Sequence, residues 1–125
     1  LRCIYQMILS YGSYKQVREY IYVKDLVQAI ELLIKNINKT KGQAYNISSL
    51  HNKCTTEELV NTFLQITENK DKHIEFREKQ ITFKEIEEQY LDSSKLISIL
   101  NWKPKYNIIE GIKETADLYK KWFNR

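Results

Sequence analysis

The sequence predicts a mixed α/β domain of the α+β kind, with about five helices and three short strands. Three observations predict it. Polar residues followed three positions later by Glu or Gln stand ahead of apolar helical stripes at Asp25, Thr55 and Asn107, the pairing that closes a helix N-terminus reciprocally. Short runs bounded by polar turns lie between those stripes and read as strands. A length of 125 residues with 42% hydrophobic content suits one folded domain, residues 1–125, with a modest core.

Residues 1–11 space Leu1, Ile4, Tyr5, Ile8 and Leu9 as one helical face, and Gly12-Ser13 ends it. Tyr20–Val23 reads as a strand. Asp25 then caps a helix with Gln28 completing the box, and Leu26, Ile30, Leu33 and Ile37 form its core stripe beside Val27 and Ile34. Ala44–Ser48 reads as a second strand. The box from Thr55 to Glu58 opens a helix that buries Leu59, Val60, Phe63 and Leu64. Asn69–Lys72 is a turn and His73–Arg77 a third strand, followed by a charged loop over residues 78–89. Asp92-Ser93-Ser94-Lys95 starts a helix carrying Leu96, Ile99 and Leu100. Asn101 stops it, because asparagine tolerates the left-handed conformation nearly as well as glycine, and Pro104 follows. The box from Asn107 to Glu110 opens a last helix with Ile109, Ile112, Ala116, Tyr119 and Phe123 on one face. Trp102 and Trp122 are expected in the core.

Strands this few and this short do not make a free-standing sheet with covered edges. The chain also opens on Leu1. The expectation is a module built against a further domain, with an exposed apolar face and self-association into a homo-oligomer.

Composition removes several classes. A net charge of +4 is too mild to argue for nucleic acid, and the aromatics fall mostly on core stripes and not on a basic face, so no nucleic-acid partner is expected. No apolar run approaches the roughly 18 residues of a membrane span, and no signal peptide is visible, so no membrane partner is expected either. Cys3 and Cys54 do not make a disulfide framework, which suits a reducing, cytoplasmic setting. His51 and Cys54 lack further ligands for a metal site. The three glycines, Gly12, Gly42 and Gly111, are scattered, so no phosphate-cradling cluster exists.

The segment Arg18-Glu19-Tyr20-Ile21-Tyr22-Val23-Lys24-Asp25 carries the most chemistry. An arginine fixed beside a strand offers two parallel donors to a phosphate or carboxylate; the alternative is an exposed arginine before an ordinary strand. The segment resembles the arginine-aromatic-aliphatic-tyrosine/histidine-valine-x-aspartate run of the extended short-chain dehydrogenases/reductases that act on nucleotide sugars. Four further signatures follow in family order. Tyr45-Asn46-Ile47-Ser48-Ser49 is similar to the family's tyrosine/phenylalanine-asparagine-aliphatic-glycine/serine strand. Leu91-Asp92-Ser93-Ser94-Lys95 is similar to its aspartate-x-serine-lysine helix start. Leu100-Asn101-Trp102-Lys103-Pro104 is similar to its leucine-glycine-tryptophan-x-proline turn, with Asn101 where glycine is usual. Glu110-Gly111-Ile112 through Tyr119 and Trp122 is similar to its terminal helix. Glu88-Gln89-Tyr90-Leu91 and the tryptophan-lysine-proline turn look most like 4,6-dehydratases, the CDP-glucose branch first, with 4-epimerases and decarboxylases sharing most of these signatures.

The resemblance implies the substrate-binding part of an NAD-dependent nucleotide-sugar dehydratase or epimerase, without the Rossmann domain that holds NAD and the catalytic tyrosine and lysine. It implies a parent reaction of hydride transfer from sugar C4 to NAD, loss of water from C5–C6 and hydride return. It implies diphosphate contact by Arg18. Asn46 either orients substrate or pairs with backbone. Arg77 is a second phosphate ligand or an exposed strand-end arginine. Glu88 and Tyr90 would line the pocket mouth. No catalytic residue and no cofactor site are expected in this chain. Tyr11 and Lys15, like Tyr20 and Lys24, match the tyrosine-x-x-x-lysine spacing. About one such pair arises by chance from nine tyrosines and sixteen lysines, and the surrounding nicotinamide site is missing. The other reading is a non-catalytic, self-associating interaction module.

Overall fold

The computed structural model describes residues 14–68 and 86–123. The elements run β1 (Val17–Glu19), α1 (Val23–Lys35), α2 (Ile37–Thr40), β2 (Lys53–Thr55), α3 (Thr56–Ile66), β3 (Glu88–Gln89), α4 (Ser94–Leu100) and α5 (Ile108–Phe123). The fold is mixed α/β, with five helices and a three-stranded sheet among the described residues. The sheet order is β2-β1-β3. β1 is central, antiparallel to β2 (Val17 opposite Thr55, Arg18 opposite Cys54, Glu19 opposite Lys53) and parallel to β3 (Val17 beside Glu88, Arg18 beside Gln89).

These are not the strands the sequence suggested. Tyr20–Val23 lies past the end of β1, and Val23 already begins α1. Ala44–Ser48 is irregular, although Tyr45 and Ile47 pack on the core as an alternating strand would. A strand is defined by a hydrogen-bonded neighbour, and no described segment ladders with either run. Lys53–Thr55 and Glu88–Gln89, polar and without apolar alternation, do find partners. The expected first helix over residues 1–11 and the expected strand His73–Arg77 lie outside the described residues.

The core is small. Ala29 of α1, Leu96 of α4 and Trp102 meet at its centre, with Ile21, Leu32, Leu33, Tyr45, Ile47 and Leu100 against them. α1 therefore turns Asp25, Ala29, Leu32 and Leu33 inward, while Val23, Val27, Ile30 and Ile34, also at helical spacing, form an exposed stripe. The expected stripe of Leu26, Ile30, Leu33 and Ile37 mixed the two faces, because α1 is apolar on both. In α5, Gly111 and Ala116 are buried and every residue from 117 to 123 is exposed. Only its first half docks, so Tyr119, Phe123 and Trp122, expected inside, face outward, Trp122 at 72% exposure; Ile109, also expected inside, lies on the exposed side of the first turn. Tyr119 and Phe123 stack on each other there, with centroids 6.0 Å apart.

Three helix ends follow local chemistry. Thr55 and Glu58 form a complete capping box, the Thr55 Oγ1 accepting from Glu58 N at 3.1 Å and Glu58 Oε2 from Thr55 N at 2.8 Å. Asn107 and Glu110 exchange the same pair of bonds at 3.0 and 2.9 Å. Asn101 closes α4 in the left-handed region, at φ 51°. Asp25 departs from expectation. α1 starts at Val23 with Tyr22 as its N-cap and no side-chain cap. Asp25 is instead 1% exposed, and its carboxylate accepts from Lys105 N at 2.9 Å and Tyr106 N at 3.0 Å, pinning the loop after Pro104 to α1.

Candidate functional site

Arg18 occupies the middle of the central strand, not a position ahead of it. Pairing puts Cys54 and Gln89 on its face, since residues directly opposite in a ladder point the same way. Its half-buried guanidinium folds back along the strand, Nη1 donating to Val17 O at 2.9 Å and Nη2 to Gln16 Oε1 at 2.8 Å. Two of the group's five N–H donors are thus used locally. Burial raises the Cys54 thiol above its ordinary value, with the Glu58 charge adding to it.

Glu88 lies beside Val17, on the opposite face from Arg18, and Tyr90 follows Gln89 with the same alternation. Lys53 Nζ joins these two, 3.1 Å from the centroid of the Tyr90 ring and 3.8 Å from Glu88 Oε1. The sheet therefore brings Arg18, Glu88 and Tyr90 into neighbouring register but divides them between its faces, with Cys54 and Gln89 sharing Arg18's side. Asn46 is exposed in the irregular segment before Ser48. Arg77 lies outside the described residues, as does Tyr11 of the tyrosine-lysine pair.

A second polar cluster joins the start of α1 to α5. Tyr22 donates to Glu114 Oε2 at 2.8 Å, and Lys24 Nζ pairs with the same oxygen. The Tyr22 and Tyr106 rings stand 4.8 Å apart at 59°, with Lys24 Nζ 5.6 Å from the Tyr106 centroid. A Cβ at Gly111 would meet Tyr22 Cδ2 at 3.1 Å, so α5 carries glycine where this ring lies against it. Burial raises the Tyr22 phenol above its ordinary value, helped by its bond to Glu114. Donation to Glu114 raises the Lys24 ammonium. Lys24, then Tyr22, hold the Glu114 carboxyl below the ordinary range. Lys24 of the Tyr20/Lys24 spacing thus belongs to an ion pair that ties two helices together. A shallow groove of roughly 230 Å³ runs beside it, lined by Val23, Lys24, Val27, Gln28 and Glu31. It includes none of the residues expected to contact substrate.

Sequence reasoning did not find Glu19. Its Oε1 accepts from Ser48 Oγ and Ser49 Oγ, each at 3.0 Å, and its Oε2 from Leu91 N at 3.2 Å. Those partners are 29, 30 and 72 residues away, so no local pattern signals them. Among the described residues no helix is long and apolar enough to cross a membrane.

The ordered signatures, carried on this fold, are those of nucleotide-sugar dehydratases and epimerases of the extended short-chain dehydrogenase/reductase type. The chain belongs to the GDP-mannose 4,6 dehydratase family, whose pattern matches residues 3–115. It is similar to the dTDP-glucose 4,6-dehydratase of Haemophilus influenzae, at 31% identity over 121 residues, covering 87% of this chain and 34% of that protein. Its fold is similar to the dTDP-glucose 4,6-dehydratase of Bacillus anthracis in complex with NAD (27% identity, TM-score 0.72, 89% of this chain and 33% of that one). It is also similar to the UDP-glucose 4-epimerase of Thermotoga maritima with UDP-glucose (26% identity, TM-score 0.73, 90% and 34%). The chain spans about a third of the length of the curated relatives it matches. The CDP-glucose branch suggested by the sequence is narrower than these matches, which are to dTDP-glucose and UDP-glucose enzymes.

Proposed function

We propose that this chain forms the substrate-binding part of an NAD-dependent nucleotide-sugar 4,6-dehydratase or epimerase, and that Arg18 holds the substrate's diphosphate. The observation that carries the reading is Arg18 itself. It is half-buried on the central strand, inside a stretch matched to relatives named for nucleotide sugars. A guanidinium there can exchange its bonds to Val17 O and Gln16 Oε1 for charge-assisted bonds to phosphate oxygens. Asn46 as a group that orients substrate, Glu88 and Tyr90 as lining of the pocket mouth, and Arg77 as a second phosphate ligand belong to the same proposal. Among the described residues the glycines do not build the cradle that holds a dinucleotide's pyrophosphate. Gly42 serves a turn after α2 and Gly111 lies under Tyr22, so neither belongs to a glycine-rich cradle. In this reading NAD and the acid–base residues come from another part of the enzyme, and this chain alone neither binds NAD nor turns over substrate.

The exposed stripe of α1 and the outer half of α5 favour a second reading, a self-associating module without catalysis. Substrate affinity separates the two. In the full-length protein, Arg18→Ala should weaken nucleotide-sugar binding by about 1.5–3 kcal/mol, the range for hydrogen bonds to charged groups. Arg18→Lys should weaken it less but measurably, because it keeps the charge and loses the planar fork. Unchanged affinity in both variants at unchanged melting temperature would remove Arg18 from the site.

A further inference from the structure

The Glu19 carboxylate is the meeting point of three chain segments. From β1 it accepts the hydroxyls of Ser48 and Ser49 and the backbone N–H of Leu91. The two serine oxygens in turn accept from Leu50 N and Asn52 N, each at 3.1 Å. The carboxylate therefore orders the 48–52 loop through both hydroxyls. That loop has reason to need ordering. Leu50 sits at φ 65°, a left-handed conformation that branched and bulky side chains seldom adopt, and Ser48, Ser49 and Asn52 are all buried. Asn52 extends the network, its O accepting from Tyr20 N and its Nδ2 donating to Tyr106 O.

Each tied segment carries one of the residues assigned above to substrate. Arg18 precedes Glu19 on β1, Asn46 stands two residues before Ser48, and Tyr90 adjoins Leu91. Glu19 points to the face opposite Arg18 and so acts on the backbones that present these side chains. We propose that Glu19 is a positioning residue for substrate binding, fixing the Arg18, Asn46 and Tyr90 segments relative to one another. This rests on the reading of Arg18 as a diphosphate ligand.

Glu19→Gln tests it in the full-length protein. Gln keeps the shape but offers one acceptor oxygen where three donors converge. The measurements are calorimetric titration with UDP, dTDP, CDP and GDP, hydrogen exchange at the Leu91 amide, and melting temperature, for wild type, Glu19→Gln, Arg18→Ala and the double variant. Expected are faster Leu91 exchange and roughly ten- to hundredfold weaker nucleotide binding in Glu19→Gln, the scale of losing one hydrogen bond to a charged group. Arg18→Ala should cost less in the Glu19→Gln background than in wild type, a coupling that simple loss of fold stability would not produce. Should Glu19→Gln not fold, Ser48→Ala with Ser49→Ala removes two arms and leaves the Leu91 arm, with the same loss of affinity expected and the faster exchange read at the Leu50 and Asn52 amides, which lose their serine acceptors. Faster Leu91 exchange in Glu19→Gln with affinity within twofold of wild type, while Arg18→Ala weakens binding as proposed, overturns the positioning role alone. If wild type binds none of the four nucleotides, the diphosphate reading falls and the role of Glu19 falls with it.

Discussion

Asp25 should behave as a bridge between distant segments and not as the cap of its own helix, and one substitution separates the two. An N-cap aspartate is replaced by asparagine at almost no cost, since the two cap about equally well. A carboxylate that accepts two backbone N–H groups is not. Asn can present only one oxygen, and its NH₂ would face the second N–H. With Lys105 N at 2.9 Å and Tyr106 N at 3.0 Å, one lost bond to a charged acceptor is worth about 1.5–3 kcal/mol. Asp25→Asn should therefore lose about 2 kcal/mol. Asp25→Ala removes both bonds and leaves two N–H groups to whatever water can reach them, so about 3–4 kcal/mol is expected. Urea unfolding at constant m-value reads the loss, and hydrogen exchange identifies its place: the Lys105 and Tyr106 amides should open in both variants. If Asp25→Asn stays within about 0.5 kcal/mol of wild type with both amides still protected, the bridge is wrong.

Asn101→Gly should leave stability unchanged or raise it by up to about 1 kcal/mol, and Asn101→Ala should lower it by about as much, because φ 51° disfavours a Cβ without a local polar partner; chemical denaturation checks both. Gly111→Ala should destabilise by about 1–2 kcal/mol despite alanine's better helix propensity. Its Cβ would press on a Tyr22 ring already held by Glu114 and Tyr106, and Tyr22→Leu should relieve part of that loss. Stability should also fall at both ends of the pH scale. Glu114, Glu58 and Asp92 are all lowered in the fold, through bonds from Lys24, Thr55 and Ser94 respectively. Each therefore contributes stability above its unfolded value, which is lost as pH falls from about 4.5 downward through the folded values. Lys24 and Tyr22 are raised, so their contribution holds below about pH 10 and is lost as pH rises through the folded values. Thermal melts from pH 3 to 11 measure both arms, and Glu114→Gln should flatten each.

The sequence by itself determined what is local. Thr55 with Glu58 and Asn107 with Glu110 lie only three residues apart, and both boxes formed. Asn101 and Pro104 ended α4 for reasons held within a few residues. The buried place of Trp102 and the family signatures were legible in the same way. Tertiary structure decided the rest, because it depends on neighbours far along the chain. It chose which of two apolar faces of α1 turns inward, took Asp25 from its own helix to Lys105 and Tyr106, and gave ladder partners to Lys53–Thr55 and Glu88–Gln89 while leaving Ala44–Ser48 without one. It also gathered Ser48, Ser49 and Leu91 onto Glu19. A hydrogen bond spanning 72 residues leaves no periodicity or motif behind, since its donor and acceptor become neighbours only once the loops between them are folded.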